Sequence, residues 1–286
     1  MKKIKINVGV ALIFTSVIFF STPVNAHSSK KVSPKTRPGH NVSSILDDSI
    51  QEYKEIQEAE KNVIDMMNST HRVIFRVKTN QKVVALTFDD GPDPRFTPKI
   101  LDILKKNNAK ATFFVVGKSA LKYPDIVQRA INEGSEIDNH TFTHPEMEKI
   151  TNTQAFDEIR KNEAMLRSFF GVSSSFFRPP KGKCSNEIVE SLFKNDGIRT
   201  ILWTICFEHQ AQPDPYKRAQ ELLKAIQPGY IVLAHDGRLN RTKTVKGMEY
   251  LVKWLKDKGY TFVTLNQLMA LDGSEKLKQV ESNLVK

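Results

Sequence analysis

From about residue 81 onward, short apolar runs are followed by stretches with helical spacing of apolar residues. The first run, Val83–Phe88, is rich in β-branched and aromatic residues, which is typical of a strand buried on both faces. Strands are predicted at Val83–Phe88, Ala111–Val116, Glu136–Asn139, Phe176–Pro179, Thr200–Ile205, Tyr230–His235 and Phe262–Leu265. Helices are predicted at Thr97–Asn107, Pro124–Glu133, Thr153–Phe170, Asn186–Asn195, Tyr216–Ile226 and Val245–Lys258. This alternation predicts one α/β domain on a parallel sheet, either open or closed into a barrel.

The residues before this domain show three other patterns. Residues 1–26 have a lysine-rich start, an apolar run and a small-x-small end, and they predict a cleaved secretory signal; an uncleaved anchor is the alternative. Residues 27–43 are rich in Ser, Lys and Pro and predict a flexible linker. Residues 44–79 are predicted as an N-terminal helical extension with its helix at Ser44–Met67, either docked or partner-binding. The α/β domain is expected at 80–275 and a C-terminal tail at 276–286.

Charge and cysteine content agree with export. The net charge of +11 becomes +8 without the three lysines of the signal, which favours retention on an anionic surface such as a cell wall. No basic cluster is interleaved with aromatic residues, so nucleic acid is not an expected partner. We expect a secreted, wall-associated monomer that meets a membrane only if the signal stays uncleaved. Cys184 and Cys206 lie in a compartment that permits a disulfide, although sequence alone does not establish one.

Unusual polar residues recur where the predicted strands end. In parallel α/β proteins the carboxyl ends of the strands carry the functional site. These residues are Asp89 and Asp90 after the first strand, His140 and His144 after the third, Arg178 at the fourth, Cys206 and His209 after the fifth, and His235 at the sixth. Their occurrence at several strand ends is stronger evidence for a functional site than any one residue, since a lone acid or histidine there is often a helix cap or structural residue.

Five of these positions suggest specific chemistry. His140 and His144 are four residues apart and, with one carboxylate, make a donor set suited to hydrolytic zinc or to non-haem iron. A pair of adjacent acids allows one to hold a cation and the other to move protons. Arg178 precedes two prolines, and we expect it to be buried against a carboxylate such as Asp89, with the backbone N–H of Lys181 left free as a donor.

The chain resembles the NodB-type polysaccharide deacetylases of carbohydrate esterase family 4. The resemblance covers roughly Lys82 to Leu271 and rests on four motifs in order: Thr87-Phe88-Asp89-Asp90-Gly91, His140-Thr141-Phe142-Thr143-His144, Arg178-Pro179-Pro180-Lys181-Gly182 and Leu233-Ala234-His235. It implies a distorted (β/α) barrel that removes N-acetyl groups from an extracellular amino-sugar polymer. The alternative is a low-activity or non-catalytic glycan-binding wall protein.

The resemblance also implies a role for each matched residue. Asp90, His140 and His144 are similar to the metal triad, usually for Zn²⁺, with Co²⁺ as another candidate. Asp89 is similar to the general base, Arg178 to the residue that holds that base, and His235 to the general acid. The substrate-binding residues implied are Leu233 at the acetyl methyl, with Lys181, Pro180 and Trp203.

The run after Trp203 departs from the family pattern. Cys206 and His209 stand where acids are expected, and Gln210 stands where a tryptophan is expected. The acid that would tether Arg178 is therefore missing, so that Arg178 is either looser or held by Glu208. Cys206 is also a candidate for a fourth, inhibitory metal ligand or for a disulfide with Cys184. The resemblance leaves the glycan open: peptidoglycan N-acetylglucosamine first, then N-acetylmuramic acid, chitin oligomers or an exopolysaccharide.

Overall fold

The described part of the chain forms one sheet of nine strands, all paired in parallel. The computed structural model describes residues 72–208 and 212–272. The strands are β1 Val73–Ile74, β2 Val83–Asp89, β3 Thr112–Val115, β4 Glu136–Asn139, β5 Phe176–Phe177, β6 Arg199–Ile201, β7 Ile205–Cys206, β8 Tyr230–His235 and β9 Thr261–Phe262. Their order is β1-β6-β5-β4-β3-β2-β8-β7, with β9 also on β2. All seven residues of β2 are buried, as the apolar run predicts for a central strand.

Helices connect most of these strands. They are α1 Thr97–Lys106, α2 Gly117–Lys122, α3 Pro124–Asn132, α4 Asn152–Phe170, α5 Asn186–Ser191, α6 Pro215–Ala225, α7 Thr242–Asp257 and α8 Leu265–Met269. A π-helical turn, Leu192–Asp196, continues α5, and 3₁₀ turns form at Met147–Lys149 and Pro180–Gly182. No helix among residues 72–208 and 212–272 has the length and apolar content needed to cross a bilayer.

The sheet curls until its two sides meet. β6 and β7 lie on opposite sides of the strand order, yet only residues 202–204 separate them in the chain. An extended chain covers at most about 3.6 Å per residue, so the two sides come within about 14 Å of each other. Arg76 bridges to Tyr230 in antiparallel fashion, and the N–H of Val77 donates to the carbonyl of Gly229 at 3.0 Å. These contacts confirm the predicted distorted (β/α) barrel.

The two faces of β2 point to different parts of the core. Val84, Leu86 and Phe88 pack in the layer beneath the helices, whereas Val83 and Ala85 pack inside the curl. Because side chains alternate along a strand, Thr87 and Asp89 also face the interior. The alternation therefore directs the last carboxylate of β2 into the mouth of the barrel.

The structure differs from the sequence-based prediction in four places. The predicted strand Thr200–Ile205 is two strands, because the chain crosses between the sheet's two sides there. The predicted strand Phe262–Leu265 ends at Phe262, and α8 follows behind a capping box of Thr264 and Gln267 that the sequence contains. Helix α2 was not predicted. Strand β1 lies within the predicted extension 44–79, where it pairs with β6.

Four other N- and C-terminal predictions fall on undescribed residues. The signal 1–26, the linker 27–43, the helix Ser44–Met67 and the tail 276–286 lie outside the described residues and stay predictions.

Candidate active site

The strand ends of β2, β4, β5 and β8 meet around one pocket of about 230 Å³. The predicted acids and histidines are brought together there with an apolar wall and several cations. The lining residues are Asp89, Asp90, His140, His144, Lys181, Gly182, Trp203, Leu233, His235, Arg238 and Leu239. Eight of the ten predicted site residues line this pocket. The two others are Arg178, which lies directly behind Asp89, and Pro180, which is buried outside the lining.

Asp90, His140 and His144 form a cluster with the geometry of a metal site. One ligand atom from each lies within 4.8 Å of the others. The Oδ1 of Asp90 is 3.6 Å from Nε2 of His140 and 3.0 Å from Nε2 of His144. Two ligands at about 2.0–2.2 Å from one tetrahedral ion are about 3.4 Å apart, so the cluster fits a divalent ion. Two imidazoles with one carboxylate suit Zn²⁺ or Co²⁺.

Hydrogen bonds orient the two imidazoles. The Nδ1 of His140 lies 2.7 Å from the carbonyl of Arg178, so this nitrogen carries the proton and Nε2 is left for a metal. The backbone N–H of His144 donates to Oγ1 of Thr141 at 3.0 Å, which fixes the main chain that carries the second imidazole. Burial opposes ionisation of Asp90, but the two neighbouring histidines outweigh it and hold the pKa of this carboxyl far below its usual value.

Several residues of the site have a left-handed backbone conformation, which sets the direction of their side chains. Six described non-glycine residues have positive φ, and five of them are at the site. Such conformations cost about 1–3 kcal/mol each and persist only where surrounding contacts impose them. The five are Asp90 (75°), Thr141 (68°), His144 (59°), Lys181 (59°) and Arg238 (63°).

Arg178 is completely buried and holds Asp89. Its Nη1 donates to Oδ1 of Asp89 at 2.7 Å and to Oγ1 of Thr87 at 2.8 Å. The rest of its guanidinium donates to the carbonyls of Ile201 (3.2 Å) and Leu202 (3.0 Å). Neither sequence-based alternative for Arg178 is correct: it is not loose, and backbone carbonyls take the place of the missing acid.

Glu208 contacts His235 instead. The Oε2 of Glu208 is 3.0 Å from Nδ1 of His235, while its Oε1 accepts from the His235 N–H at 3.1 Å and from Thr244 Oγ1 at 2.7 Å. Burial alone would lower the pKa of His235, but Glu208 outweighs it and raises that pKa. Burial alone would raise the pKa of Glu208, but the hydrogen bond and charge of His235 lower it. The pair is suited to keep His235 protonated.

Two arginines of the loop after β8 were missed in the sequence. Arg241 is buried, and its Nη2 donates to Oδ2 of Asp90 at 3.2 Å while its Nε donates to the carbonyl of Gly237 at 2.9 Å. Arg238 contacts Nδ1 of His144 and lies 4.0 Å from Asp90. No spacing rule identifies them, because their partners come from other strands.

The cysteine hypotheses are both wrong for the described residues. Cys184 and Cys206 are free thiols, and Cys206 is not part of the metal-ligand cluster. Burial raises the pKa of each thiol to about 12. His209 and Gln210 lie outside the described residues, so the loss of the aromatic acetyl wall stays a prediction.

Comparison with known proteins identifies the family. The profile for polysaccharide deacetylases matches residues 76–201. A peptidoglycan-N-acetylglucosamine deacetylase of Bacillus cereus is 35% identical over 212 residues, which cover 71% of this chain and 95% of that protein. The peptidoglycan-N-acetylmuramic acid deacetylase PdaC of Bacillus subtilis is 33% identical over 230 residues, covering 79% of this chain and 48% of PdaC. The chain therefore belongs to the polysaccharide deacetylases, the NodB-type enzymes of carbohydrate esterase family 4.

Solved structures give the same result. The crystal structure of the Bc1960 peptidoglycan N-acetylglucosamine deacetylase matches with a TM-score of 0.67 at 33% identity, covering 72% of this chain and 96% of that one. BA3943 of Bacillus anthracis, a CE4 family pseudoenzyme, matches with a TM-score of 0.62 at 28% identity, covering 68% of each chain. Similar folds in this family are thus found in both active and inactive proteins.

Proposed function

We propose that this chain is a zinc-dependent hydrolase that removes N-acetyl groups from peptidoglycan N-acetylglucosamine outside the cell. The observation that carries the proposal is the meeting, in one pocket, of a metal-binding triad with Asp89 and His235. Arg178 pairs with Asp89 and Glu208 pairs with His235 from behind the pocket lining. The names of the similar peptidoglycan deacetylases support the substrate. The predicted signal and basic charge support a wall location.

Asp90, His140 and His144 would hold the ion. When bound, a divalent ion such as Zn²⁺ or Co²⁺ supplies Lewis acidity, which makes water a stronger acid and the acetamide carbonyl more electrophilic. Asp89 removes a proton from the attacking water with Oδ2, since Arg178 occupies Oδ1. The Lys181 N–H, which donates to no atom of the described residues, stabilises the developing oxyanion.

His235 completes the reaction as general acid. Glu208 accepts the hydrogen bond from Nδ1, which leaves the proton on Nε2 facing the pocket. Transfer of that proton to the leaving nitrogen releases the free amine, and the water oxygen stays on the acetate. Leu233 and Trp203 line the pocket where the acetyl methyl would rest.

The test is acetate release from N-acetylglucosamine oligomers and from wall sacculi. We expect release that a chelator abolishes and Zn²⁺ restores, and a loss of about 10²–10⁴-fold in His235→Ala with zinc content unchanged. Lys118→Ala, on the exposed side of α2, is the matched control and should keep full activity. Zinc-loaded, folded protein that releases no acetate from any glycan would refute the proposal.

A non-catalytic glycan-binding protein is the second candidate. The altered run after Trp203 and the similar CE4 pseudoenzyme favour it. The intact Glu208–His235 pair argues against it, because it preserves a protonated acid at the pocket. Acetate release decides between the two candidates.

A further inference from the structure

The outer surface of α6 and α7 carries three aromatic rings in mutual contact. Tyr216 of α6 lies 5.1 Å from Tyr250 and 5.2 Å from Trp254 of α7, measured between ring centroids, and the latter two are 5.5 Å apart. Tyr216 is 45% exposed and Tyr250 is 39% exposed. Tyrosine and tryptophan clusters that stay accessible are typical of binding surfaces.

Three lysines share this surface with the rings. Lys243, Lys246 and Lys253 are exposed and recur with Tyr250 at helical spacing, opposite the buried side of α7. Lys253 pairs with Asp257 at 2.6 Å. Lys243 and Lys246 make no side-chain hydrogen bond or ion pair with any residue that the structure describes. We call Tyr216, Lys243, Lys246, Tyr250, Lys253 and Trp254 the α6–α7 face.

The α6–α7 face begins beside the active site. Thr244 donates to Glu208, so the first turn of α7 lies directly behind the Glu208–His235 pair. From Lys243 to Trp254 the helix rises about 16 Å, which is long enough for several sugar rings. The face itself contributes no residue to the pocket lining.

We propose that the α6–α7 face binds a strand of an anionic polysaccharide, separately from the catalytic pocket. The apolar C–H faces of sugar rings would pack against the exposed tyrosine rings, while Lys243 and Lys246 would pair with carboxylate groups along the strand. This binding requires no catalytic turnover by the chain.

Other occupants fit the surface less well. Insertion into a bilayer interface needs protruding apolar side chains, whereas these rings pack against each other and exposed lysines lie on the same helix. A symmetric contact would set this lysine-bearing face against the same lysine-bearing face of a second copy, and like charges repel.

The test is binding of the full chain to hyaluronate, which alternates uronate and N-acetylglucosamine, in the presence of a chelator. Glycol chitin serves as the neutral polymer. In Lys243→Gln/Lys246→Gln, the Kd for hyaluronate should rise about 10- to 30-fold, and its dependence on salt should weaken. Tyr250→Ser should also bind more weakly. Its ring contacts Tyr216 and Trp254, so the thermal transition should fall slightly, and a single cooperative transition is the folding check.

Matched control variants remove lysines or an aromatic ring from other parts of the surface. Lys110→Gln/Lys194→Gln removes two exposed lysines, and Phe169→Ala removes a 66% exposed ring of α4; both should bind as the parent does. Equal losses in tests and controls, or no loss in any variant, would overturn the proposal. Binding of glycol chitin as tight as that of hyaluronate would also overturn it. The same holds for lysine-dependent binding of phosphatidylglycerol vesicles without hyaluronate binding, and for a dimer that the lysine variant abolishes.

Discussion

Replacement of Arg178 by methionine removes the most deeply buried charge among the residues that the structure describes. Arg178 is 0% exposed, and the side chain of its partner Asp89 is only 5% exposed. The variant leaves Asp89 without its cation and removes the guanidinium donors to the carbonyls of Ile201 and Leu202. Removing one partner of a buried pair costs about 3–5 kcal/mol, a large part of the 5–15 kcal/mol that stabilises a typical domain.

A second substitution shows whether the cost comes from the uncompensated carboxylate. Asp89→Asn removes the charge and keeps the shape, so Arg178→Met/Asp89→Asn should be about 2 kcal/mol more stable than Arg178→Met alone. Urea unfolding with a chelator present measures both free energies of unfolding, and an unchanged m-value shows that the unfolded states are comparable.

Arg129→Met is the matched control for this cycle. Arg129 pairs with Asp102 and Glu133 on the surface, where its side chain is 32% exposed, and its loss should cost at most about 1 kcal/mol. The reasoning fails if Arg178→Met costs no more than this control. It fails equally if Asp89→Asn gives no recovery of stability in the double variant.

Three further predictions concern the site and the thiols. The lowered pKa of Glu208 makes its carboxylate stabilise the fold above its ordinary pKa of 4.5, and the raised pKa of His235 makes its imidazolium stabilise the fold below its ordinary pKa of 6.5. Glu208→Gln should therefore reduce the free energy of unfolding most between pH 4.5 and 6.5. A reduction that does not change with pH would contradict this. A Cβ on Gly237 would lie 2.1 Å from the carbonyl oxygen of Asp90, so Gly237→Ala should weaken zinc binding about tenfold or more in equilibrium dialysis, and unchanged affinity would exclude that close approach. Without reductant, both cysteines should react with a disulfide reagent in denaturant. Both should react slowly in the native protein, because burial raises the pKa of each thiol to about 12. Fewer than two reactive thiols in denaturant would mean a disulfide.

The location of the site follows from the sequence, because it depends on local rules. Apolar runs mark the strands, and a parallel sheet brings their carboxyl ends to one edge, so Asp89, His140, Arg178 and His235 meet as expected. The pairing of Arg178 with Asp89 was also predicted correctly. Such inferences need only the strand order and the alternation of side chains.

Contacts between loops depend on how far the sheet curls, which apolar periodicity does not encode. Glu208 lies after β7 and His235 at the end of β8, and the ladder between Cys206 and Leu233 sets their approach. Arg241 reaches Asp90 from a loop 151 residues later in the chain. No spacing in the sequence links either pair, so the assignment of Glu208 to Arg178 failed for a physical reason.

The departure from the family pattern after Trp203 therefore changes the contacts of Arg178 and His235 less than the sequence suggests. The acid predicted to be missing at Arg178 is replaced by two backbone carbonyls, which need no side chain at all. Glu208 gives His235 a carboxylate partner at 3.0 Å. Cys206 is protonated by burial and stands outside the ligand cluster, so it competes for neither the ion nor the proton. Cys206 thus leaves the two acid–base pairs in place, which favours the catalytic over the non-catalytic candidate.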